Sequence, residues 1–160
     1  MKFGSIKVVF LLIIFTISSC NNPESNTFKV LKIVDGDTFY IDDGTEKGIS
    51  VRLIGVDTPE TKHPRKPVEH YGKEATAFLT ALIENKTVRL EYDIEKYDRY
   101  KRLLAYVYVD DSTFVNAKLV EEGYARIATF PPNVKHAELF LRLEQEARKF
   151  NRGLWAKEES

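Results

Sequence analysis

Three short β-rich runs, one amphipathic stretch and two more β-rich runs follow one another in residues 28–109, and that order restricts the fold more than any other feature of the chain. Residues 28–34 alternate apolar and polar positions, with Phe28, Val30 and Lys32 on one side and Lys29, Leu31 and Ile33 on the other. This is the period of a strand. The run ends at the turn Asp35-Gly36-Asp37. Residues 38–41 continue as a strand and stop at Asp42-Asp43-Gly44, a strong hairpin signal. A third strand is expected over residues 49–56, making a meander. Ala75, Phe78, Leu79, Leu82 and Ile83 then recur with the spacing of a helical stripe, and Lys73, Glu74, Thr76 and Glu84 lie off it. Residues 86–93 and 102–109 return to period-two alternation. Residues 115–122 read as a short helix stopped by Gly123, and residues 134–151 as a last helix ended by Gly153. The buried stripe of that last helix is expected to be His136, Leu139, Phe140, Leu143, Ala147 and Phe150, with Leu154 and Trp155 folding back as an apolar plug. This order suits an OB-type barrel, in which the helix after the third strand plugs one end. The expected class is α+β, mainly β: a five-stranded OB-fold β-barrel with three α-helices.

The ends of the chain bear on location. Lys2 and Lys7 precede or flank an apolar run over residues 8–17, too short for a spanning helix and suited to a secretory leader. Ile17-Ser18-Ser19-Cys20 resembles the lipobox of bacterial lipoproteins. The resemblance implies cleavage before Cys20 and a lipid on its sulfur. Cys20 is the only cysteine, so no internal disulfide is possible. Residues 1–19 are thus expected to be a lipoprotein signal peptide, residues 20–27 a lipidated cysteine and polar tether, and residues 28–157 one domain. The expected location is the cell surface or envelope, anchored to a membrane by the lipid. The chain carries 24 basic and 24 acidic residues, and loss of Lys2 and Lys7 leaves it slightly acidic. A polycationic coater of nucleic acid is therefore excluded, and any contact with a polyanion must come from a local cluster of charge.

Such a cluster is available. Asp57-Thr58-Pro59-Glu60 sets two carboxylates three residues apart on a proline-stiffened loop, and Asp35 and Asp37 lie on a turn about twenty residues earlier. Asp37, Asp57 and the carbonyl of Thr58 could offer hard oxygen ligands to Ca²⁺, with water and a phosphate completing the shell. The spacing is not that of an EF-hand. Taken alone, Asp35-Gly36-Asp37 also reads as an ordinary turn. Glu60, near a cation and a water, could orient or deprotonate a nucleophile. Arg52 stands among apolar strand residues and Arg102 at the mouth of a strand. Planar guanidinium groups match the equatorial oxygens of a phosphodiester undergoing displacement. The segment Tyr97-Asp98-Arg99-Tyr100-Lys101-Arg102 interleaves charge with aromatics, as single-strand contacts do. His63, His70 and His136 lack zinc spacing, and His136 reads as structural.

Four segments carry a wider resemblance. They are residues 33–38, residues 51–64, Tyr71-Gly72-Lys73-Glu74-Ala75, and residues 98–106. Through them the chain resembles the thermonuclease family, the staphylococcal-nuclease-like domains, from about Thr27 to Trp155. The resemblance implies an OB barrel with three helices and a Ca²⁺-dependent, sugar-non-specific endonuclease that leaves 3′-phosphates on DNA and RNA. It places catalytic roles on Arg52, Glu60 and Arg102 and metal ligation on Asp37, Asp57 and Thr58. Asp35 falls just outside the ligands. Arg99, Tyr100 and Lys66 fall on substrate contacts. The implied partners are DNA and RNA, single-stranded or frayed, met by a monomer. Departures from the family touch affinity more than reaction. Arg99 stands where lysine is usual, Ala128 and Phe130 replace two tyrosines of the base-binding groove, Pro67 replaces a glycine, and the loop of residues 93–98 is one residue shorter. Two other readings remain: an OB barrel that grips single strands without cutting, and an adhesive surface lipoprotein that leaves the acid–arginine pattern unexplained.

Overall fold

A computed structural model describes residues 26–61, 69–110 and 112–156. The expected leader, Cys20, most of the tether and Lys66 lie outside the described residues. In chain order the elements are β1 (Thr27–Ile33), β2 (Thr38–Ile41), β3 (Ile49–Leu53), β4 (Gly55–Asp57) and α1 (Gly72–Ile83). There follow β5 (Thr87–Glu91), β6 (Leu103–Val109), β7 (Thr113–Phe114), α2 (Val115–Glu121), β8 (Arg126–Ala128), α3 (Ala137–Lys149) and a 3₁₀ turn, Gly153–Trp155.

Strands β3, β2, β1, β5 and β6 pair in that order, all antiparallel, and a parallel pairing of β3 with β6 closes the ring. This is the expected five-stranded barrel with three helices, of the OB type. Its interior is apolar and β-branched: Val30, Phe39, Ile41, Val51, Val88 and Val107 are all buried. Ala75, Leu79 and Ile83 are the buried face of α1, as its periodicity predicts, and Leu79 and Ile83 join the barrel core.

The imperfect alternation of residues 28–34 has a cause. Between Val30 and Lys32 the register with β2 shifts, so Val30 pairs Ile41 while Lys32 pairs Tyr40. This bulge sends Leu31 and Lys32 both outward and returns Ile33 to the core. Lys32 then lies 4.3 Å above the ring of Tyr40.

The single strand expected over residues 49–56 is in fact two. The chain breaks at Ile54, whose N–H donates to the carbonyl of Ala105 at 3.0 Å. Gly55 adopts φ +78°, a left-handed value that glycine takes without strain. A Cβ there would lie 2.5 Å from the ring of Phe140 on α3. The corner therefore needs glycine twice over, for its backbone and for the approach of α3. Strand β4 leaves the barrel and pairs with β8, setting Asp57 opposite Arg126.

The last helix is shorter than expected. His136 precedes it, its ring packed against Tyr106 and Phe114 and its Nε2 3.0 Å from Glu91 Oε1, which fits a structural histidine. Phe150 falls past the helix end and is 58% exposed, so it leaves the predicted stripe. Glu144 is buried on that stripe instead, because the Ile127 N–H and the Arg148 guanidinium both donate to its carboxylate. The chain turns back at Leu154, whose N–H donates to the carbonyl of Gly123, but Leu154 and Trp155 are only half-buried and join neither apolar cluster, so they do not form the expected plug; the centre of the Trp155 ring instead lies 3.7 Å from the Arg148 guanidinium.

Candidate active site

Asp37 organises one end of the barrel. Its side chain is nearly buried, and every partner arrives from the chain around it. Oδ1 accepts from the Thr38 hydroxyl at 3.0 Å, and Oδ2 accepts from the Thr58 N–H at 2.9 Å and the Thr58 hydroxyl at 3.1 Å. These bonds dock the 57–60 loop onto the β1–β2 turn. Gly36 makes room, since a Cβ there would lie 2.7 Å from the Thr58 hydroxyl.

Arg52 sits opposite Thr38, the residue after Asp37, in the β2–β3 register. One Nη contacts Asp37 Oδ2 and the other contacts Asp57 Oδ1 at 2.9 Å. These two carboxylates are the polar surroundings of an arginine that stands among apolar strand residues. Glu60 follows on the same loop. Its N–H takes Glu69 Oε2 at 3.3 Å, and its carbonyl takes the Glu69 N–H at 2.9 Å. Glu69 thereby reaches the site from the far side of residues 62–68.

Arg102 is presented differently. Asp98 Oδ1 accepts the N–H groups of Tyr100 and Arg102 at 2.8 and 3.0 Å. Its Oδ2 takes Arg102 Nε at 2.7 Å. One carboxylate therefore shapes the loop and orients the guanidinium. The guanidinium groups of Arg99 and Arg102 lie 4.8 and 5.4 Å from the centre of the Tyr100 ring.

Two cavities meet at these arginines. The smaller, about 280 Å³, is lined by the carboxyl groups of Asp35, Asp37, Asp57, Glu60 and Glu69 and by the guanidinium groups of Arg52 and Arg102. The larger, about 410 Å³, has the same two arginines in its wall and carries Tyr97, Tyr100, Ala128 and Phe130. Among the described residues, charge in the smaller cavity is unbalanced. Burial pushes the Asp35 carboxyl up to about 6, and repulsion from Asp37 adds to this. Burial also raises Asp57, although Arg52 pulls it back. Five carboxyl groups beside two guanidinium groups would repel a phosphate, so the donor set fits a bound hard cation. Among the described residues, no three carboxylates, histidines or cysteines converge as a closed metal cage. Asp37, Asp57 and the Thr58 carbonyl would hold such an ion openly, leaving most positions to water and substrate.

The structure thus brings Asp35, Asp37, Asp57, Thr58, Glu60, Arg52 and Arg102 to one cavity, and Arg99 and Tyr100 to its neighbour. Sequence reasoning missed Glu69, which follows a stretch with no apolar periodicity and offers no local signal. It named Asp98 only as part of a charged run, although its position four residues before Arg102 was visible.

Residues 50–157 match the family model described as staphylococcal nuclease homologue. A thermonuclease of Staphylococcus hyicus is 42% identical over 143 residues, covering 89% of this chain and 83% of that protein. A thermonuclease of Staphylococcus intermedius is 45% identical, covering 86% and 80%. Endonuclease YncB of Bacillus subtilis (strain 168) is 40% identical over 79% of this chain and 60% of its own length.

Proposed function

Since this chain belongs to the staphylococcal nuclease homologue family, we propose that it is a Ca²⁺-dependent, sugar-non-specific endonuclease that hydrolyses DNA and RNA and leaves 3′-phosphates. The observation that carries the reading is the smaller cavity, where an excess of carboxylate faces two oriented arginines. Ca²⁺ held by Asp37, Asp57 and the Thr58 carbonyl would supply the positive charge that the cavity lacks. Glu60 takes the proton of the attacking water as the water oxygen bonds to phosphorus. The P–O5′ bond breaks, the 5′-oxygen takes a proton from solvent water as it leaves, and the phosphate stays on the 3′ side. Arg52 and Arg102 donate to the equatorial oxygens as negative charge builds there. Asp37, Asp57 and Asp98 keep those guanidinium groups in place before substrate arrives.

Digestion of a plasmid and of an end-labelled single strand tests this reading. Cleavage is expected in Ca²⁺, weaker cleavage in Mg²⁺, and none in excess chelator, with 3′-phosphate ends throughout. Undiminished cleavage in chelator would remove the metal from the account. The protein is further proposed to act as a monomer held at the envelope by a lipid on Cys20. Cys20→Ala should move it out of the membrane fraction. A wild-type chain free in culture fluid and without lipid mass would refute the anchor.

A further inference from the structure

The larger cavity is the groove where the family resemblance places base binding, and it carries Ala128 and Phe130 in place of two tyrosines there. Tyr97 is 52% exposed and Phe130 is 74% exposed, and both line the cavity whose wall contains Arg52 and Arg102. Large rings left open to water in one groove mark a contact surface. Tyr100 differs, because its ring already lies beside the guanidinium groups of Arg99 and Arg102. The neighbouring strand β8 offers only the methyl group of Ala128 to this groove, which leaves open space beside the arginines.

Tyr97 is not on a loose loop. Asn133 is 5% exposed and clasps the segment before Tyr97 with both ends of its amide. Its Oδ1 accepts the Glu95 N–H at 2.8 Å, and its Nδ2 donates to the Glu95 carbonyl at 2.8 Å. The Asn133 N–H donates to the carbonyl of Phe130, and the Lys135 N–H donates to Asp93 Oδ2. On its other side Tyr97 bridges to Leu103, and the Leu104 N–H donates to the Lys96 carbonyl. Segments 93–97 and 130–135 therefore form one frame, with Tyr97 on one part and Phe130 on the other.

We propose that Tyr97 is a stacking platform for an unpaired base of the substrate, and that Asn133 is the positioning residue that holds it beside Arg102. The identity of the strand rests on the nuclease reading above. Charge complementarity selects the occupant. Arg52, Arg99 and Arg102 line the same groove, so a phosphate and the ring attached to it are met together. Every base has a π-face, so the platform tolerates any sequence, but a base can use it only outside a duplex. The groove therefore selects single-stranded or frayed ends.

The test uses the purified full chain and two strands of equal length and charge, one with bases and one abasic. Binding is read by fluorescence anisotropy in Ca²⁺ on the Glu60→Gln background, and cleavage by the wild type is read separately. Tyr97→Ala should weaken binding of the base-bearing strand by about 5- to 150-fold, the range of one base–aromatic stack. It should leave the abasic strand nearly unchanged. Tyr97→Phe should retain the preference for bases. Asn133→Ala should lower the base-to-abasic ratio, with little further loss when combined with Tyr97→Ala. Equal weakening of both strands by Tyr97→Ala, or no effect on either, overturns the proposal, as does a protein that binds neither strand. A chain that binds with this preference but does not cut would sink the nuclease reading while upholding the platform.

Discussion

Asp98 shows how one side chain carries more than its own chemistry. Burial pushes its carboxyl up, but hydrogen bonds from the Arg102 and Tyr100 N–H groups and from the Arg102 side chain outweigh this and hold it below the ordinary aspartate value. It therefore stays ionised at neutral pH and keeps Arg102 Nε engaged. Asp98→Asn should preserve much of the loop and lose the charged partner of the guanidinium. Turnover should then fall by about 10²-fold, as expected when a reacting group is misplaced. The sign of the pH effect follows from the depressed value. The stability Asp98 contributes is present above the ordinary value near 3.8 and drains as pH falls through the lower folded value. Urea midpoints of wild type and Asp98→Asn should differ at neutral pH and converge in acid, and midpoints that differ equally at every pH would contradict this. At this scale the residue types were legible in the sequence, but their pairing was not. Arg52 meets Asp37 only because the β2–β3 register sets Arg52 across from Thr38.

The corner between β3 and β4 is the element on which the site depends. It aims Thr58 at Asp37 and Asp57 at Arg52, and it is held from behind by Asn116 on α2. The Asn116 side chain is fully buried, its Oδ1 accepting the Val107 N–H at 2.9 Å and its Nδ2 donating to the Ile54 carbonyl at 2.8 Å. Asn116→Ala leaves both backbone groups without that partner, at a cost of roughly 1–3 kcal/mol each. A lowered urea midpoint is expected, and an unchanged one would show that the corner does not need this tie. The corner was only half legible. Gly55 inside a strand-like run was a visible signal of a break, but β4 and β8 have three residues each, too few for a period to register. The stripe of α1 was long enough to read directly. The bulge in β1 left its mark as an alternation that places Lys32 on the apolar side.

Across the whole molecule, the order of strands and helix was sufficient to suggest the barrel, because few closed sheets accept that order. Its closure was not written in any local pattern, since the parallel pairing of β3 with β6 joins residues some fifty positions apart, such as Val51 and Leu103. That closure brings Arg52 and Arg102 into the wall shared by the two cavities, one acidic and one aromatic. In the proposed reaction the two arginines and Glu60 serve the transition state more than the fold. The most direct measurement is the single-turnover cleavage rate of a labelled single strand in Ca²⁺ by wild type, Glu60→Gln and Arg102→Lys, with circular dichroism on the same samples. Each variant should remain folded and lose about 10²–10³ in rate, because lysine keeps the charge of Arg102 without its paired donors and glutamine cannot take a proton from water. Folded variants that cut at the wild-type rate would contradict the assignment and leave a barrel that binds strands without cutting them.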